Sequence, residues 1–260
     1  MTDSPTDDSN RRTRTLVPLE ILEGESVPAG LVDLLEPTDV TVLGYHVLPE
    51  QTPPDQARLQ YEDRATDALE DLAREFGAEE GTADYRLVFT HDAEQTIERV
   101  AADTGAGVYA ITGATGPIDR LLVTLTSDVA VERIVSFVAE LIGDREIGVT
   151  LFLATDDESA GRELLETAAG PLSERGIDVR TQLSLEEPPL EALIDAAADH
   201  DAVVMGEQAP SLRTLVFGEA AERVAAESFG PVLVVRRLEG EGEGEGEAAD
   251  TPLLSDGSEE

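Results

Sequence analysis

Nine short runs rich in Val, Ile, Leu and Thr alternate with longer stretches of helical period, and this alternation confines the chain to an α/β architecture. The implied form is a parallel sheet with helices on both faces. The spacing predicts strands over 15–19, 40–46, 85–89, 108–112, 120–125, 148–154, 178–183, 202–205 and 231–236. Between them, Leu69, Leu72 and Phe76 share one face of a helix over 59–76, as do Ile134, Val135, Val138 and Leu141 over 131–142. Further helices are expected over 93–104, 159–175, 189–199 and 219–229, with Asp128 as an N-cap and Gly176 as a stop.

The order of elements then repeats. Val40-Thr41-Val42-Leu43 parallels Val149-Thr150-Leu151-Phe152, and Ala101-Ala102-Asp103 to Gly113 parallels Ala197-Ala198-Asp199 to Gly206. The two copies are unequal, because Gly113-Ala114-Thr115-Gly116-Pro117 leads almost directly to Leu121, whereas the second copy runs on past Gly206 through a loop, a helix and a strand. The expected organisation is a polar leader over 1–12, a first copy over 13–116 lacking its last helix and strand, a complete copy over 117–237, and a disordered acidic tail over 238–260.

Charge narrows the setting. Asp and Glu number 56 against 18 basic residues, all of them Arg, giving a formal net charge of −38. Such a chain repels itself in dilute buffer, but at about 1 M salt the Debye length falls to about 3 Å and the repulsion is screened. We read the composition as that of the cytoplasm of an extreme halophile. The acid excess also speaks against nucleic acid and anionic membrane, which require a basic footprint. With Cys absent there is no disulfide framework, thiol nucleophile or thiolate metal site. Arg11-Arg12 precedes the apolar run at Leu16, but Glu20, Glu23 and Glu25 break that run, so it reads as a leader rather than an export signal. No run approaches the ~18 apolar residues of a membrane span.

The second copy closes with Val203-Val204-Met205-Gly206, then Phe217-Gly218-Glu219-Ala220-Ala221-Glu222-Arg223-Val224, then Pro231-Val232-Leu233-Val234-Val235-Arg236. This resembles the C-terminal segment of universal stress proteins, in which a Gly-x2-Gly-x9-Gly-Ser/Thr loop precedes an Ala-Glu-Arg-Val-like helix and a Pro-Val-Leu-Val-Val-Arg strand. Leu16-Val17-Pro18-Leu19-Glu20 looks like the family's opening strand, and Tyr45-His46-Val47 like its second. The resemblance implies Rossmann-like subdomains of the adenine nucleotide α-hydrolase type. In members that bind ATP, it implies, the two loop glycines and the Ser or Thr hold phosphate, while an Asp ending the first strand holds adenosine. Backbone N–H groups and a helix N-terminus suit such a site to an anion.

Against that pattern, Gly206 is kept but the second glycine is Ala209, the spacing to Gly218 is one residue short, the Ser/Thr is Glu219, and the Asp is Thr126. A carboxylate at Glu219 opposes phosphate and can itself occupy the helix N-terminus. Glu20 of the first copy is acidic but lies beside a truncated loop. These five positions, Thr126, Gly206, Ala209, Gly218 and Glu219, therefore read as a degenerate nucleotide site.

Other candidates read as structural. His46, His91 and His200 fall near strand ends without a motif, and the pair Asp156-Asp157 is expected by chance in so acidic a chain. Gly113-x-x-Gly116 fits either a remnant phosphate loop or a tight turn between the copies. No nucleophile elbow or zinc-protease motif is present. The expected function is a non-catalytic regulatory or binding protein of a halophile cytoplasm, with no cofactor. It is expected to dimerise through the strand 232–236, whose apolar edge would invite another strand. The alternatives are an ATP- or AMP-binding stress sensor with slow or no hydrolysis, and a cytosolic regulator of an ion or solute transporter.

Overall fold

The computed structural model describes residues 12–22, 27–77, 83–126, 131–185, 188–207 and 230–236. It contains β1 (Arg14–Glu20), α1 (Ala29–Leu35), β2 (Asp39–Val47), α2 (Pro54–Glu75), β3 (Ala83–Thr90), α3 (Ala93–Thr104) and β4 (Val108–Ile111). These are followed by β5 (Arg120–Thr124), α4 (Val131–Ile142), β6 (Gly148–Ala154), α5 (Glu158–Glu174), β7 (Val179–Ser184), α6 (Pro189–Ala197), β8 (Ala202–Gly206) and β9 (Val232–Val235).

All nine strands form one sheet in the order β3-β2-β1-β4-β9-β8-β5-β6-β7. The order 3-2-1-4 of the first half recurs in the second as β7-β6-β5-β8, with β9 added beside β8. Neighbours pair in parallel except β4 and β9, whose antiparallel ladder sets Val108 opposite Val235 and Ile111 opposite Val232. The carboxyl ends of the strands in the two halves consequently face opposite ends of the sheet.

This placement corrects the expectation of a dimer through the last strand. Val232–Val235 is not an edge: β8 pairs with it on one side and β4 on the other. Its main-chain groups are already engaged, and the outermost strands are β3 and β7. β4 without a fifth strand of its own half supplies the partner that the expectation assigned to a second chain.

Alternating side chains cover both faces and carry each core across the junction. On one face Val17, Leu19, Leu31 and Val42 pack in one cluster with Leu121, Val123, Ile134 and Leu233. On the other, Leu16, Leu43 and Tyr109 join Leu122, Phe152, Val203 and Val234. The helices flanking the junction are also tied together. Arg145, just past α4, donates from its guanidinium to the carbonyls of Asp33 and Leu34 at the end of α1, at 2.6 and 3.1 Å, and to those of Leu141 and Ile142 at the end of α4. One cation so satisfies orphan carbonyls of two helix C-termini. Burial pushes the Arg145 guanidinium below its ordinary value, while Glu36 and Asp33 oppose that shift.

Between β4 and β5, residues 112–119 carry no helix or strand. There the backbone of Gly113 passes so close to Gly230 that a Cβ at Gly113 would collide with the Gly230 carbonyl, and Gly230 itself has φ 60° against Asp201. The Asp201 carboxylate accepts from the N–H groups of Asp119 and Arg120 at 3.0 and 2.8 Å. Gly113 is thus a crossing point of main chains, which is why the connection is glycine-rich.

α1 was not expected from the sequence, since its seven residues span too few turns to show a period. α2 begins at Pro54, earlier than the expected 59, because its first turns are exposed and polar; Pro at the first position needs no partner for its missing N–H. Gly176 follows the end of α5 with φ 82°, the expected stop. Asp128 and the helix expected over 219–229 lie outside the described residues.

Candidate functional site

β5 is flanked by β6 on one side and β8 on the other, so the chain leaves its carboxyl end at the point where the strand order reverses. In open α/β sheets a ligand occupies the crevice outside that point. Thr126 lies two residues beyond β5, and Gly206 is the last residue of the adjacent β8. The fold brings these two expected positions to one crevice. Ala209, Gly218 and Glu219 lie outside the described residues.

The alternation along β5 directs Leu121, Val123 and Leu125 into one core and Leu122 into the other, which places Thr124 and Thr126 on the face of Leu122. The hydroxyl oxygens of Thr124 and Thr126 are buried and have no hydrogen-bond partner among the described residues. Sequence reasoning missed Thr124. Its signal was the i, i+2 spacing of two hydroxyls at a strand end.

The base of the crevice is pinned by charges. Glu207, next after Gly206, donates its N–H to the Val235 carbonyl at 2.9 Å, and its carboxylate lies 3.9 Å from Arg236 Nε. Arg236 in turn donates through its N–H to Gly107 and through Nη1 to Ala106, at 2.8 and 3.0 Å, and its carbonyl accepts from Arg133 of α4 at 3.1 Å. Arg236 thus joins Glu207 and α4 of the second half to Gly107 and Ala106 of the first.

Asp157 at the neighbouring β6 end caps α5, accepting from the Ala160 N–H at 2.9 Å. Of the histidines, His200 stands at the opposite, amino-terminal ends of the strands, with Nδ1 2.7 Å from the Ala196 carbonyl and Nε2 2.8 Å from Thr150 Oγ1. A carbonyl can only accept, so Nδ1 carries the proton and the Thr150 hydroxyl can donate to Nε2. His91 Nδ1 meets the Leu48 carbonyl at 3.1 Å. His46, next to last in β2, has Nδ1 4.0 Å from the Glu20 carboxylate and its ring edge-on to Tyr61 and Phe89. In this half the strand corresponding to β8 is β4, and no loop and helix follow it before β5.

The residues around this crevice match a known family. Residues 117–236 match the universal stress protein family. The fold extends the likeness to the rest of the chain: a universal stress protein from Archaeoglobus fulgidus DSM 4304 superposes with a TM-score of 0.61, covering 88% of this chain and 98% of that one at 14% identity. A universal stress protein in complex with cAMP is similar over 47% of this chain and 98% of its own, with a TM-score of 0.35 and 16% identity. No curated protein matches the chain. Thr126 and Gly206 both fall within the matched residues. Among the described residues no helix is long and apolar enough to cross a membrane.

Proposed function

We propose that this chain is a non-catalytic universal-stress-type binding protein made of two unequal copies of one unit, working in a salt-rich cytoplasm with its nucleotide site degenerate. The observation that carries this reading is Thr126 at the mouth of the β5–β8 crevice. A threonine there supplies one hydroxyl in place of the carboxylate that the family pattern uses on adenosine, and the loop beyond Gly206 adds Ala209 and Glu219, which oppose phosphate. The recurrence of the strand order β3-β2-β1-β4 in β7-β6-β5-β8 supports two copies. The charge of −38 without a single Lys supports the salt-rich setting.

A ligand that binds only the folded state raises its stability by mass action. Melting curves in about 3 M KCl, with and without about 1 mM ATP or AMP, should therefore coincide. An upward shift with either nucleotide would replace this reading by a nucleotide-binding stress sensor, and phosphate release in the same buffer would then measure hydrolysis.

A further inference from the structure

At the amino-terminal ends of β5, β6 and β7, remote from the crevice, the sheet holds a groove of about 390 Å³. Its floor is Gly148, where an added Cβ would meet nothing nearer than the Asp119 carbonyl at 3.8 Å and Asp178 Oδ2 at 3.9 Å. The register sets Arg120 beside Gly148 and Arg180 beside Thr150, so the two arginines flank the floor from strands on either side of β6. Two strand spacings across and two residues along separate their Cα atoms by roughly 12 Å. The wall formed by His200 is held in place by its bonds to Ala196 and Thr150.

Four charged side chains line the groove: the guanidiniums of Arg120 and Arg180 and the carboxylates of Asp178 and Asp199. None of the four makes an ion pair or a side-chain hydrogen bond among the described residues. On the helices Arg58, Arg74 and Arg162 each pair with a carboxylate three or four residues away, whereas Arg64, Arg99 and Arg175 stand singly on the surface among the described residues; what sets the groove apart is that it gathers two unpaired cations and two unpaired anions in one cavity. Two charges of each sign thus face one cavity without neutralising each other.

We propose that this groove binds a small zwitterion of the α-amino-acid class, its carboxylate held between Arg120 and Arg180 and its ammonium between Asp178 and Asp199. An anion would meet two carboxylates and the field of a chain carrying −38, and a cation would meet two guanidiniums. A neutral molecule with both charges meets neither objection. Direct contact pairs also outlast molar salt better than long-range attraction, which a Debye length of about 3 Å removes.

Calorimetry in about 2 M KCl tests this with L-norvaline, pentanoate, which lacks its ammonium, and n-butylammonium, which lacks its carboxylate. Saturable binding of norvaline alone is expected, weakened about tenfold or more by Arg180→Gln and by Asp178→Asn. Both side chains are exposed, so the melting temperatures of the variants should stay at the wild-type value and show that the fold is intact. No saturation with norvaline overturns the proposal. So does equal binding of pentanoate or butylammonium, or wild-type affinity in a folded Arg180→Gln variant.

Discussion

Val235, the last residue of β9, faces Val108, the first residue of β4, across the antiparallel ladder that joins the two halves. One strand later in the chain than the crevice, and one strand over in the sheet, this pairing places the end of the universal stress domain inside a continuous nine-stranded sheet. The two cores run through it, so neither half buries its apolar faces alone.

Val234, opposite Tyr109 on one side and Met205 on the other, should therefore have an amide among the slowest to exchange. Hydrogen exchange read by mass spectrometry or NMR at several protein concentrations checks this. Protection that appears only on association would restore the last strand as an intermolecular edge.

Arg145→Met should lower stability by about 1–3 kcal/mol, because the carbonyls at the ends of α1 and α4 lose a shared charged donor. Denaturant titration followed by circular dichroism measures it. The same variant should unfold in a single transition, since the clamp ties together helices that pack on one core.

Thr124 is 7% exposed with an unpartnered hydroxyl. Thr124→Val keeps the shape and removes that group, so the melting temperature should rise, by the equivalent of up to about 1 kcal/mol. A fall would mean that the hydroxyl is hydrogen-bonded in solution.

Lowering the salt below about 1 M should weaken the fold, because the Debye length then grows and the charge of −38 repels itself across more of the surface. Ellipticity recorded during stepwise desalting is the measurement. An unchanged spectrum and melting temperature in dilute buffer would remove the basis for a salt-rich setting.

Tyr85 donates its phenol to the Glu70 carboxylate at 2.9 Å, and that bond, with the charge of Glu70, raises the phenol above its usual 10.0. The neutral phenol is the favoured form in the folded state, so the contact contributes at neutral pH and is lost as pH rises through the folded value. Glu70→Gln should bring the Tyr85 titration down, as read by NMR of its ring.

Much of this was legible in the residues. Periodicity is local, and the nine strands and the helix Val131–Ile142 follow from it because each element's apolar face is written in its own ten or so residues. Thr126 and Gly206 are legible locally only as strand-end positions; that they lie beside each other depends on β5 and β8 being neighbours in the sheet.

Strand neighbours are not local. That β9 inserts between β8 and β4 depends on residues 108–111 meeting residues 232–235, and no pattern within either run states the choice. The charges around Gly148 show the same division: Arg120, Asp178, Arg180 and Asp199 are ordinary surface residues in sequence, distributed over 80 positions, and only the register of three strands and the end of α6 gathers them into one groove. Sequence by itself determined the elements and their class, through side-chain period and turn chemistry. The tertiary structure alone decided which strands are edges and which charges share a cavity, because those follow from packing between segments far apart in the chain.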